Sequence, residues 1–138
     1  MYPDRPIVAV GGVIIDGDCV LLVKRANEPL KGEWSLPGGV VEAGETLEAA
    51  LAREVREETS LDVEVGPVVE VLDRILRDAV GRVKYHYVIV DYVCHLCDGT
   101  ATCGSDADDV RWVGRGELAS CRVTASVVSV IEKAFSMP

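Results

Sequence analysis

A mixed α/β (α+β) fold in a single domain spanning residues 1–138 is predicted by three observations. Apolar, mostly β-branched runs come in pairs separated by polar turns, the pattern of strands that meet as hairpins. One central stretch is rich in Ala, Leu and Glu and favours helix over strand. The tail repeats apolar residues at helical spacing. Hydrophobic residues make up 49% of the chain, enough to bury one proper core, and no repeat or low-complexity stretch marks a second domain.

In chain order, Ile7 to Ile15 reads as a buried strand, and Gly17-Asp18 turns it into a second strand at Cys19 to Lys24. The loop Arg25 to Trp34 follows, fixed as a surface excursion by Pro29 and Gly32, with Trp34 packing it down. Leu36-Pro37-Gly38-Gly39 reads as a turn whose glycines permit close backbone approach. Gly44 and Glu45 make another turn, and Thr46 is positioned to cap a helix reaching Thr59. Val63 to Leu76 and Val83 to Leu96 read as long strands joined by a polar turn around Arg77 to Gly81. Alternation in the second places His86 with Val88 and Val90, and Tyr85 with Tyr87 and Ile89. A loop containing Gly99, Gly104, Asp106, Asp108 and Asp109 precedes a short strand at Val110 to Val113. Val127, Val128, Ile131 and Ala134 define a packing helix over Thr124 to Phe135.

The central helix carries the chemistry. Each residue turns by about 100°, which gathers Leu47, Leu51, Glu54 and Glu58 within roughly 60° on one stripe. That stripe begins apolar and ends in carboxylates, with Glu57 on its flank. Three negative charges on the packing side repel one another, and a hard divalent cation such as Mg²⁺ or Mn²⁺ is the natural compensation. A solvated, salt-bridged helix explains the helix alone equally well. The Gly-rich loop and the capped start before it favour a phosphate-and-metal site.

Bulk properties narrow the partners. A formal charge of −9 argues against nucleic acid or an anionic membrane surface, both of which reward a basic face. The N-terminal segment lacks a basic signal-like region and no apolar run could span a bilayer, so a cytoplasmic protein is expected. The five cysteines fit free thiols in a reducing compartment. A zinc site from Cys94, His95, Cys97 and Cys103 is disfavoured, because Cys94 and Cys97 would face opposite sides of one strand.

Gly39, Glu45, Arg53, Glu54, Val55, Glu57, Glu58 and Leu61 match the spacing G-x5-E-x7-R-E-U-x-E-E-x-G-U, with U bulky and aliphatic. The segment therefore resembles the Nudix box of the Nudix hydrolases. Ser60 departs from the pattern, standing where the family has glycine at the helix exit. The resemblance covers nearly the whole chain and implies an α/β/α sandwich, a mixed sheet between the box helix and the C-terminal helix. It implies divalent-metal-dependent hydrolysis of the pyrophosphate bond in a nucleoside diphosphate linked to X. On this resemblance Glu54, Glu57 and Glu58 hold Mg²⁺ or Mn²⁺ with the Gly38 carbonyl, while Arg53 and Glu45 orient the cluster. An acidic residue ahead of the last strand, Asp106 first and Asp109 second, completes the metal site or helps activate water. The base is then Glu54 or Asp106.

Arg25 and Lys31 are candidates for holding substrate phosphate, although Arg25 is equally suited to pairing with a nearby carboxylate. Arg74, Arg77, Arg82 and Lys84 are expected to flank the acidic cleft, and His86 to make a minor substrate contact. The segments RANEPLKGEWSLPGG and HYVIVDY are similar to the small bacterial ADP-ribose pyrophosphatase-like branch, which implies ADP-ribose as substrate and AMP and ribose 5-phosphate as products. A nucleoside-triphosphate pyrophosphatase of the housecleaning type is the alternative. A nucleotide-sugar sensor without activity fits less well, since the box carboxylates are intact. The implied partner is a small-molecule nucleotide, and a homodimer is compatible with this reading.

Overall fold

The computed structural model describes residues 2–28, 30–98 and 107–137. Its elements are strands β1 (Ile7–Asp16), β2 (Cys19–Arg25), β3 (Trp34–Ser35) and β4 (Gly38–Val40), helix α1 (Leu47–Thr59), strands β5 (Asp62–Arg77), β6 (Val83–Asp98) and β7 (Ala107–Gly114), a 3-10 helix (Arg115–Ser120) and helix α2 (Ala125–Phe135). Leu36 to Gly39, expected as a turn, instead leads into β4, because the bare glycine backbone lies flat against β1 with Gly11 opposite Gly38. Strand β7 starts earlier than expected, since its pairing with β2 runs on past Val110 to set Ala107 opposite Arg25 across a register shift.

Strand β1 organises the sheet. It runs parallel to β6 from Ile7 opposite Tyr87 to Ile14 opposite Cys94, and antiparallel to β4 on its other side. Its end turns into the β2 hairpin, and β2 continues antiparallel to β3 and β7. The β5–β6 hairpin extends the other edge, so the sheet is mixed, as expected. Alternation along β1 and β2 divides the core. Val10, Ile14 and Leu21 pack with Ala50, Leu51 and Val55 of α1. Val13, Val20 and Leu22 pack with Val130, Ile131 and Ala134 of α2. The result is the α/β/α sandwich. Leu51 is fully buried, which contributes about 1.5–3 kcal/mol.

The ends of α1 are chemically determined. Thr46 Oγ1 accepts the Ala49 amide at 3.1 Å, a cap that stabilises by about 1 kcal/mol. Ser60 ends the helix at φ 62°, in the left-handed region, with its amide on the Arg56 carbonyl. A side chain there costs free energy that glycine avoids, so Ser60→Gly should raise stability by up to about 1 kcal/mol, less the extra entropy of the unfolded glycine. Urea denaturation tests this, and a loss of stability would show that the serine side chain holds the turn.

Cys94 is 1% exposed and Cys97 is exposed, which separates the two sulfurs as expected. Burial pushes the Cys94 thiol up to about 12, leaving it unreactive. Cys103 lies outside the described residues. No described helix is long and apolar enough to cross a membrane.

Candidate active site

Burying Leu51 and Val55 beneath α1 leaves Glu54 and Glu58 at the margin where β4 approaches. Glu58 is itself 7% exposed, and its Oε1 accepts the Gly38 amide at 2.8 Å. Glu54 crowds the neighbouring glycine: a Cβ on Gly39 would lie 2.5 Å from the Glu54 carboxyl carbon. On Gly38 a Cβ would lie 2.0 Å from the Val10 carbonyl oxygen. Both glycines are therefore demanded by space, and they bring the main chain against the two carboxylates. Glu54, Glu58, Gly38, Gly39, Lys24 and Arg25 line one cavity of about 290 Å³.

Arg53 ties the acidic cluster together. Its Nε and Nη2 donate to the two oxygens of Glu45 at 2.7 and 2.9 Å, and Nη1 donates to Glu54 Oε1 at 2.8 Å. Nη1 also reaches Glu57 Oε2 at 3.3 Å, and Nη2 reaches the Val40 carbonyl at 3.3 Å. Such a planar fork holds carboxylates in a fixed geometry that lysine cannot copy. The Arg53 bonds, helped by the Glu42 amide, hold the Glu45 carboxyl down at about 2, while Glu45 raises Arg53 above the usual guanidinium range. A lowered acid stabilises the folded state at pH values above its ordinary range. That contribution is lost as pH falls towards about 2.

The oxygen-only donor set suits a hard divalent cation. Among the described residues no group of three or more His, Cys, Asp or Glu side chains is placed to hold a metal ion. Glu54 and Glu58 share the cavity, whereas the Glu57 side chain is 43% exposed and leans on Arg53. An open arrangement of this kind fits an ion held by one or two carboxylates with phosphate oxygens completing its shell. Asp106 lies outside the described residues. Asp109, on β7, stands opposite Lys24 and accepts the Val110 amide at 2.9 Å.

A second cavity of about 150 Å³ opens across Gly38 and Gly39, sharing Arg25 and Leu36 and adding Arg74 and Asp91. Burial lowers the pKa of Arg74, and the like charge of Arg25 lowers it further. Burial also pushes the Asp91 carboxyl up to about 6, with the Arg74 charge opposing it. Arg25 and Arg74 are thus brought together beside the carboxylates. His86 is not: with Tyr2 and Lys84 it lines a separate cavity, its Nε2 3.9 Å from Asp73 Oδ1. Arg77 and Arg82 also stay away from the cleft, bonding Gly81 and Asp78 within the β5–β6 turn. Lys31 is exposed on its loop. Sequence reasoning missed Asp91, whose only signal was one acid inside the apolar run YVIVDYV.

With the geometry in place, comparison with known proteins gives a consistent family. A NUDIX domain model matches residues 5–131. A Methanocaldococcus jannaschii protein named ADP-ribose pyrophosphatase is 38% identical over 114 residues, covering 83% of this chain and 65% of that protein. A Mycobacterium tuberculosis protein with the provisional name 8-oxo-dGTP diphosphatase 2 is 53% identical over 115 residues, covering 80% and 75%. The crystal structure of a MutT NUDIX hydrolase from Burkholderia pseudomallei superposes with a TM-score of 0.81 at 28% identity, covering 94% of this chain and 98% of that one. The chain belongs to the NUDIX family of hydrolases, which act on pyrophosphate bonds.

Proposed function

We propose that this protein hydrolyses a nucleoside diphosphate linked to X, with ADP-ribose its best substrate and AMP and ribose 5-phosphate its products. The observation that carries this reading is the junction at Gly38–Gly39, where a carboxylate-lined cavity meets one lined by Arg25, Arg74 and Asp91. A diphosphate lying across the junction has its anionic centre beside Arg25 and one organic arm in the second cavity. The ADP-ribose name of the M. jannaschii relative supports the choice of substrate.

In this reading Glu54, Glu57 and Glu58, with the Gly38 carbonyl, would hold Mg²⁺ or Mn²⁺, which would supply neutralisation of phosphate charge and a more acidic water. Arg53, anchored bidentately on Glu45, keeps Glu54 in place. Glu54 takes the proton of the attacking water, with Asp106 as the alternative base. The water oxygen bonds to one phosphorus, and the bond from that phosphorus to the bridging oxygen breaks. The bridging oxygen leaves on the other phosphate.

A second reading, a nucleoside-triphosphate pyrophosphatase, is favoured by the 53% identity to the M. tuberculosis relative. A hydrolysis screen over ADP-ribose, other ADP- and GDP-sugars, dinucleoside polyphosphates and (d)NTPs separates the two. ADP-ribose should show the highest kcat/KM, and chelation with EDTA should abolish turnover. Reaction in ¹⁸O-labelled water locates the attacked phosphorus by product mass. A kcat/KM for any dNTP ten times that for ADP-ribose would establish the second reading instead.

A further inference from the structure

Asp91 occupies an unusual place for an acid. It lies in the middle of β6, directly opposite Gly11 of β1, and is 5% exposed. A Cβ on Gly11 would sit 2.3 Å from Asp91 Oδ1, so the carboxyl fills the space that a side chain there would take. Among the described residues it makes no hydrogen bond and no ion pair, although the Arg74 charge is close enough to influence it. No side-chain oxygen among the described residues is both sealed and unpartnered, so the Asp91 carboxyl, which favours a bonding partner, opens onto space that a partner can enter. Asp91 lines two openings among the described residues, a small one of about 40 Å³ towards α2 and the larger cavity beside the diphosphate cleft, whose walls include Val10, Leu36 and Ile89. Arg74 lines that cavity too, with one hydrogen bond among the described residues, to Ser126 Oγ at 3.4 Å.

Arg25 and Tyr87 also line this cavity, and within its largely apolar walls the Asp91 acceptor beside the Arg74 donor is the negative of a nucleobase edge that carries an amino group next to a ring nitrogen or carbonyl acceptor. We propose that Asp91 and Arg74 read the base of the substrate, Asp91 accepting from an amino group and Arg74 donating to the neighbouring acceptor. This deepens the proposed function and rests on its placement of the substrate. It adds that the arm in the second cavity is the nucleoside and that amino-bearing bases are selected. Adenine and guanine share this chemistry, and hypoxanthine lacks the amino group.

The test compares kcat/KM within two pairs: ADP-ribose against IDP-ribose, where a carbonyl replaces the amino group and the adjacent ring nitrogen becomes a donor, and dGTP against dITP, where the amino group is simply absent. Wild-type protein should prefer the amino-bearing member of its substrate pair by about tenfold. Preference within the first pair identifies adenine, and within the second, guanine. Asp91→Asn keeps the shape but places a donor among the acceptors. It should erase the preference mainly by raising KM for the amino-bearing member of the pair. Arg74→Gln, on a different strand, should weaken the same preference. If a dNTP is hydrolysed with ten times the kcat/KM of ADP-ribose, the proposed substrate fails while the base-reading test still runs on the second pair. If wild type shows no amino preference, or a folded Asp91→Asn keeps it, the inference is overturned. A purely structural role for Asp91 would lower both members of a pair equally.

Discussion

Glu58→Gln is expected to cut kcat by about a hundredfold or more, with the far-UV spectrum and the cooperative melt retained. The amide keeps the size of the side chain and an oxygen that can accept the Gly38 amide, now at 2.8 Å from Glu58 Oε1, so the contact between α1 and β4 survives. What it removes is one negative charge and, in the proposed site, one cation ligand. Glu57→Gln should also lower turnover by orders of magnitude if Glu57 joins the metal shell. Its 43% exposed side chain and 3.3 Å contact to Arg53 require it to turn towards the cavity when the ion binds. The two variants therefore differ in what they report. Steady-state kinetics across a Mg²⁺ titration decide the matter: near-wild-type turnover at saturating Mg²⁺ in either variant would remove that residue from the metal set.

Gly38→Ala and Gly39→Ala should fail in different ways, although the two residues are adjacent. At Gly38 the new methyl would meet the Val10 carbonyl oxygen at 2.0 Å and the Gly11 Cα at 2.8 Å, both backbone atoms that cannot move aside alone. Strand β4 must then part from β1, and a loss of about 3 kcal/mol or more is expected, enough to lower Tm by many degrees. At Gly39 the methyl meets the Glu54 carboxylate at 2.5 Å, the end of a flexible side chain. The fold should tolerate that change with a small drop in Tm. Glu54 is driven from its place beside Arg53, and turnover should fall by about a hundredfold or more. Equal Tm values for the two variants would show that β4 is not held as tightly against β1 as these contacts require.

The elements that depend on local chemistry were legible in the sequence. The Thr46 cap and the apolar-to-acidic stripe of α1 follow from side chains within a few residues of one another, and each is present. The long strands followed from alternation, because a half-buried strand writes its two faces into the chain with period two. Features that depend on distant partners were not legible. Strand β4 forms because two glycines can lie against β1, and nothing within Leu36 to Gly39 names that neighbour. His86, Arg77 and Arg82 looked available for the cleft because charge and spacing do not say which end of a hairpin meets the helix; the register of β5 and β6 decides that. The sequence by itself determined the acidic helix, its Thr46 cap and the family they mark. Only the tertiary structure decided that Gly11, eighty residues from Asp91 in the chain, leaves room for its carboxyl beside Arg74, because the parallel pairing of β1 with β6 is a long-range contact with no local signature.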